Sequence, residues 1–169
     1  MIQGSHPLAN VTLRPHINAF QVREVPPPAP GSNYCVAAVN STGSAAAISG
    51  TGSASIASND LTLVASQLPL GSFAFFITSQ TQDLVVQAGG SQGTLCLGGA
   101  IGRGVGGAIV SSGATGVVSV QVDALAQPTP TGPVAILAGE TWNFHCWYRD
   151  SVGGAATSNF SDGYTVTFN

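Results

Sequence analysis

The chain has 169 residues, of which 44% are hydrophobic and only 7% charged, with a net charge of −3. Globular domains carry about 25% charged residues, and a disordered chain needs low hydrophobicity with high net charge, so this composition predicts a folded domain. There is no Lys, and the basic residues are Arg14, Arg23, Arg103 and Arg149. Four scattered cations give no phosphate-binding stripe, which argues against nucleic acid and against anionic membrane surfaces. No apolar run is long enough to span a bilayer.

Residues 1–30 differ from the rest. Short strands are expected at 11–13 and 17–25, and Pro26-Pro27-Pro28-Ala29-Pro30 follows as a semi-rigid polyproline linker. Residues 1–25 therefore read as an arm or as the last strands of an upstream domain. The stretch INAFQVREV at 17–25 is similar to the closing strand of a galactose-binding-like jelly roll. An apolar strand on a proline tether can also complete a neighbour's sheet, so self-assembly through residues 1–30 is one expectation. No charged and then apolar leader pattern follows Met1. An exported protein would thus be seen here as its mature form or as a part.

From Tyr34 onward period-two alternation dominates, the signature of strands. Leu61, Leu63 and Ala65 alternate with polar or smaller residues, as do Phe73, Phe75 and Ile77, and then Val118, Val120 and Val122. Tyr164, Val166 and Phe168 close the chain. Gly, Pro, Asn, Asp and Ser clusters separate these runs as turns require, and good helix formers are scarce. The fold class expected for 31–169 is all-β: an antiparallel, jelly-roll-like β-sandwich with almost no helix.

The run at 141–149 carries the sharpest local prediction. Parity puts Trp142, Phe144, Cys146 and Tyr148 on one face, the apolar and core-facing one. It puts Asn143, His145, Trp147 and Arg149 on the other, expected toward solvent or a partner. A Trp flanked by amide, imidazole and guanidinium groups is a platform for a sugar ring, so these four are the candidate ligand-binding residues. The alternative is that Trp147 packs under a loop or a neighbouring domain.

Catalytic patterns are weak. Gly102, Gly104 and Gly107 match GxGxxG by letter, but the residues that follow are Gly, Ser and Val, with none of the helix signal that a dinucleotide site needs. GxSxG is absent. His145 and Cys146 are adjacent, so they point to opposite faces and cannot be base and nucleophile. The carboxylates Asp60, Asp83, Asp123, Glu140, Asp150 and Asp162 stand singly in turns, mostly as turn formers. Asp150, Asn159 and Asp162 could offer oxygen ligands to Ca²⁺, without a DxDxDG loop to support it. His6, His16 and His145 could meet a metal only if the arm folded back. No enzyme activity and no cofactor are expected. Cys35, Cys96 and Cys146 form no CxxC pair; in an exported protein two of them pair and the third is buried or free.

Residues 34–168 also resemble a module that recurs near the C-termini of large secreted proteins of planctomycetes and some myxobacteria. The matching stretches are YC at 34–35, NSTG at 40–43, NDLTL at 59–63, LP at 68–69, FFITSQTQ at 75–82, GGSQGTLCLGGAIGR at 89–103, SSGATG at 111–116, GETWNF at 139–144, WYRD at 147–150 and TSNFSDGYTVTF at 157–168. The resemblance implies an accessory β domain that follows other domains in an exported protein, with no known catalytic residues; a weakly charged surface rich in amides and hydroxyls, with an available Trp, is what points to a module that holds such a protein to polysaccharide or the cell surface. Cys35 and Cys96 lie within its motifs and Cys146 does not, which implies a Cys35–Cys96 disulfide and a reduced Cys146. Family members carry longer upstream regions than the 30 residues seen here.

Overall fold

A computed structural model of the protein describes residues 28–107 and 109–169. The expected strands at 11–13 and 17–25, the arm, the first two linker residues, and His6 and His16 lie outside the described residues.

Within them, two three-residue 3-10 turns are the only helical structure. Twelve strands follow in order: β1 Ser32–Tyr34, β2 Ala47–Thr51, β3 Thr62–Ser66, β4 Phe73–Ser79, β5 Thr81–Val86, β6 Thr94–Gly98, β7 Gly102–Arg103, β8 Val110–Ser111, β9 Val118–Gln121, β10 Thr141–Val152, β11 Ala155–Phe160 and β12 Gly163–Thr167. The main sheet runs β1-β12-β10-β4-β7, with β11 also on β10 and β8 on β4; a second sheet runs β2-β3-β9. All pairings are antiparallel. The all-β sandwich expected from alternation is the fold.

Its core lies between the two sheets. Trp142, Phe144, Cys146 and Tyr148 of β10, with Phe76, Tyr164 and Val166 from its neighbours, meet Ile48, Leu63, Ala65 and Val118 of the second sheet. This is the core face that parity assigned to β10, and each such side chain contributes about 1.5–3 kcal/mol on burial. Cys146 is a free, buried thiol within it. The Trp142 indole N–H donates to a Glu140 carboxylate oxygen at 3.1 Å, so the one polar atom of the ring is satisfied.

The hairpin β5–β6 adds a third layer, which alternation did not announce. It covers the outer face of β10, β4 and β11, where Ile77, Leu97 and Phe160 form a second apolar cluster with Phe75, Leu95, Ile101 and Trp147 packed against it. Strand β4 is therefore covered on both faces. Ala74 and Phe76 enter the sandwich core and Phe75 and Ile77 the second cluster, while Phe73 is 61% exposed.

Two covalent and steric details fix the layer. Cys35, directly after β1, is bonded to Cys96 of β6 across a Cα–Cα distance of 6.4 Å and a sequence separation of 61. Gly163, opposite Tyr34 in the ladder, leaves the space that the Tyr34 ring fills. That ring then lies over the outer face, and its hydroxyl donates to the Cys96 carbonyl at 3.0 Å. Hydrogen bonds from Ser79 Oγ to the Gly98 carbonyl (2.6 Å) and from the Gln92 N–H to the Ser158 carbonyl (2.8 Å) tie the hairpin to β4 and β11. The GxGxxG letters fall in β7 and a tight turn, where Gly104 and Gly107 take φ of 77° and 79°, and no helix follows.

Closing a loop of this length lowers the entropy of the unfolded chain by an amount worth about 4 kcal/mol. Urea denaturation with and without reductant should differ by about that amount. Cys146→Ser should leave the difference intact, and a difference near zero would show that the bridge does not hold the fold.

Candidate functional site

Strand β10 presents Asn143, His145, Trp147 and Arg149 on its outer face, and the ladder sets their neighbours. Ile77 stands opposite His145 and Phe75 opposite Trp147 on β4; Phe160 stands opposite Trp147 and Ser158 opposite Arg149 on β11; Arg103 of β7 stands opposite Ile77. Residues directly opposite in an antiparallel ladder share a face, so one surface collects three aromatic rings and two guanidinium groups.

The four sequence candidates divide into two pairs. Asn143 is 1% and His145 0% exposed, so the expectation that both face solvent is corrected. The cause is the third layer, which lies over this half of the strand. Asn143 accepts from Gln82 Nε2 of β5 at 2.9 Å and donates to the Ser79 carbonyl at 3.1 Å, which makes it a cross-layer tie. His145 lies edge-on to the Tyr34 and Phe160 rings, with centroids 6.2 and 6.1 Å away. Neither of its ring nitrogens has a hydrogen-bond partner. Burial lowers its pKa from 6.5 to about 4, so the imidazole is neutral at ordinary pH.

Trp147 and Arg149 lie where the cover ends. Trp147 is half-buried and Arg149 exposed. The Trp147 ring packs on Phe75 at a centroid distance of 4.8 Å, and the Arg149 guanidinium sits 5.5 Å from its centroid in cation–π range. A cleft of about 500 Å³ opens beside them, walled by Phe75, Trp147, Phe160, Arg103, Arg149 and Ser158 together with aliphatic side chains of the third layer. No carboxylate lines it among the described residues. A second hollow of about 380 Å³ shares Phe75 and Arg103 and continues toward Ile109. Sequence reasoning missed Phe75, Phe160 and Arg103. The signal for the first was the run Phe73-Ala74-Phe75-Phe76-Ile77, apolar in both parities, which marks a strand covered on both sides.

The candidate calcium residues are engaged elsewhere. Asp150 accepts from the N–H groups of Ser41 and Ser151 and from the Asn159 amide at 3.1, 2.8 and 3.2 Å. Burial opposes its charge, but these donors prevail and hold its carboxyl below the usual range. Asp162 accepts from the Ile48 N–H at 2.7 Å and the Asn33 amide at 2.8 Å, closing a different junction; burial nevertheless raises its pKa. Asp150 and Asn159 thus meet, as amide donor to carboxylate, while Asp162 serves another pair of loops.

Comparison with protein-family models, with curated proteins and with solved structures gives no match.

His145 yields a pH prediction. In the unfolded chain it takes a proton as pH falls below 6.5, whereas in the fold it stays neutral down to about 4. The unfolded state then binds more protons, so stability falls as pH drops through this window, by up to about 3 kcal/mol, and is unaffected above it. His145→Leu has a similar volume and no unpartnered nitrogen. It should stabilise the oxidised protein by about 1–3 kcal/mol at pH 7 and remove this component of the acid-side loss. Chemical denaturation of both proteins at pH 7.5 and 4.5 checks both effects.

Proposed function

We propose that this domain is a non-catalytic accessory module of an exported protein, and that it binds polysaccharide or another cell-surface component in the cleft beside Trp147. The observation that carries the reading is the wall of that cleft: Phe75, Trp147 and Phe160 supply apolar area, and Arg103, Arg149 and Ser158 supply donors at its rim. Sites for sugars need this pairing, because a pyranose ring offers a C–H face to an aromatic plane and hydroxyls to directed donors. The Arg149 guanidinium, 5.5 Å from the Trp147 ring centroid, is solvent-exposed and can donate to a ligand hydroxyl or carboxylate.

Two further observations support the reading. The Cys35–Cys96 disulfide suits an oxidising compartment. His145, the one described histidine, is sealed from solvent and so is unsuited to act as a general base on a substrate. No helix in the described residues is long and apolar enough to cross a membrane.

A glycan array followed by calorimetry on the strongest hit is the direct test. Trp147→Ala should weaken binding by tenfold or more, the range for an aromatic anchor at about 1–3 kcal/mol. Arg103→Ala should weaken it as well with the melting temperature close to that of the parent, whereas Trp147→Ala also loses its packing on Phe75 and should melt lower. An array without hits, or hits indifferent to both substitutions, would sink the proposal.

A further inference from the structure

We infer that Cys35, Cys96 and His145 form a second, alternative closure of the same junction: when the disulfide is reduced, the two thiolates and the imidazole bind one zinc ion. The inference does not depend on the sugar-binding reading, since none of these three residues lines the cleft.

Two observations carry it. The sulfur atoms of Cys35 and Cys96 and a ring nitrogen of His145 all lie within 4.8 Å of one another. A tetrahedral zinc ion with Zn–S of about 2.3 Å and Zn–N of about 2.0 Å needs donors about 3.5–3.8 Å apart, so the sulfurs must separate on reduction and the imidazole need close by no more than about 1 Å. His145 is fully buried with both ring nitrogens unpartnered. Buried polar groups are almost always satisfied, and the disulfide offers this imidazole no proton and no strong acceptor.

The charge also fits. Two thiolates and a neutral imidazole around Zn²⁺ make a neutral unit, which a dry site tolerates far better than an isolated ion. Sulfur and imidazole donors select zinc and other thiophilic ions over calcium or magnesium. Cys35, the half-exposed member, follows β1 directly with a left-handed φ of 63°. The chemistry balances with a dithiol as the reductant. The dithiol's two sulfur atoms become a disulfide, its two protons and two electrons convert the Cys35–Cys96 bond to two thiols, and zinc binding then releases those two protons.

The test uses the full chain, with Cys146→Ser as background to leave two thiols. The oxidised and the phosphine-reduced protein are titrated anaerobically with Zn²⁺ against a chromophoric chelator. The reduced protein should take up one zinc per chain, at least a hundredfold more tightly than the oxidised form. Zinc should raise the melting temperature of the reduced form only, and Co²⁺ in its place should give a thiolate-to-metal charge-transfer band. His145→Leu should bind zinc at least tenfold more weakly. Equal uptake by oxidised and reduced protein overturns the inference, as does undiminished affinity in His145→Leu. If that variant does not fold when reduced, the ¹⁵N resonances of the buried imidazole decide: a shift on zinc addition supports the site, and unmoved resonances overturn it.

Discussion

Much of the outer half of this structure depends on one constraint: the end of β1 is bonded to β6. That link, Cys35 to Cys96, pins a two-stranded hairpin over a sheet that would otherwise expose one face to water. An isolated hairpin is marginal in water, and β5 is exposed along its whole length. The hairpin holds its place through the bridge, the Tyr34 and Ser79 hydroxyls, the Gln82–Asn143 tie and a small apolar cluster. Where the cover reaches, Asn143 and His145 are sealed; where it stops, Trp147 and Arg149 line an open cleft. One bridge therefore decides which side chains of a single strand are structural and which can meet a ligand.

The 12-residue β10 is the axis of the molecule for a related reason. It pairs with β4 along one edge, and along the other first with β12 and then with β11. The exchange between those two strands occurs at Ser161, whose N–H donates to the Cys146 carbonyl and whose hydroxyl accepts from the Cys146 N–H, each at 3.0 Å. No backbone group of Cys146 is left unpaired at the break, which a buried position requires. The strand can therefore stay straight beneath both layers while its partner changes.

The core face of β10 was legible because alternation and hydrophobicity agreed: Trp142, Phe144, Cys146 and Tyr148 are large or apolar and every second residue. The other face was misread because polarity was taken as exposure. Asn143 and His145 are polar and buried, Asn143 through side-chain hydrogen bonds to a distant strand, which no local pattern reveals. The covering hairpin was hidden for the complementary reason. Its β5 reads Thr-Gln-Asp-Leu-Val-Val, half polar and half apolar without alternation, since one side of it meets solvent over its whole length. The disulfide pairing rested on motif resemblance, as spacing alone allowed any two of three cysteines to pair. The cleft was half legible: Trp147 and Arg149 lie on one strand, but Phe75, Phe160 and Arg103 join them only through ladder registers of non-local strands.

The few charges are divided between two tasks, and the division bears on what the cleft can hold. Asp60 accepts from the Ser53 N–H and hydroxyl, Asp123 from the Leu125 N–H, Glu140 from the Leu137 N–H and the Trp142 indole, and Asp150 and Asp162 clamp loops as described. These five carboxylates act as fixed acceptors for backbone N–H groups in turns and at strand ends, a use of Asp common in loops. Arg103 and Arg149, by contrast, are exposed on the cleft rim and form no ion pair among the described residues. A protein with net charge −3 thus presents a locally positive, aromatic-floored hollow. Concave, low-dielectric walls strengthen such a field, so on the sugar-binding role proposed above an acidic or sulfated sugar is a better candidate ligand than one that is neutral throughout.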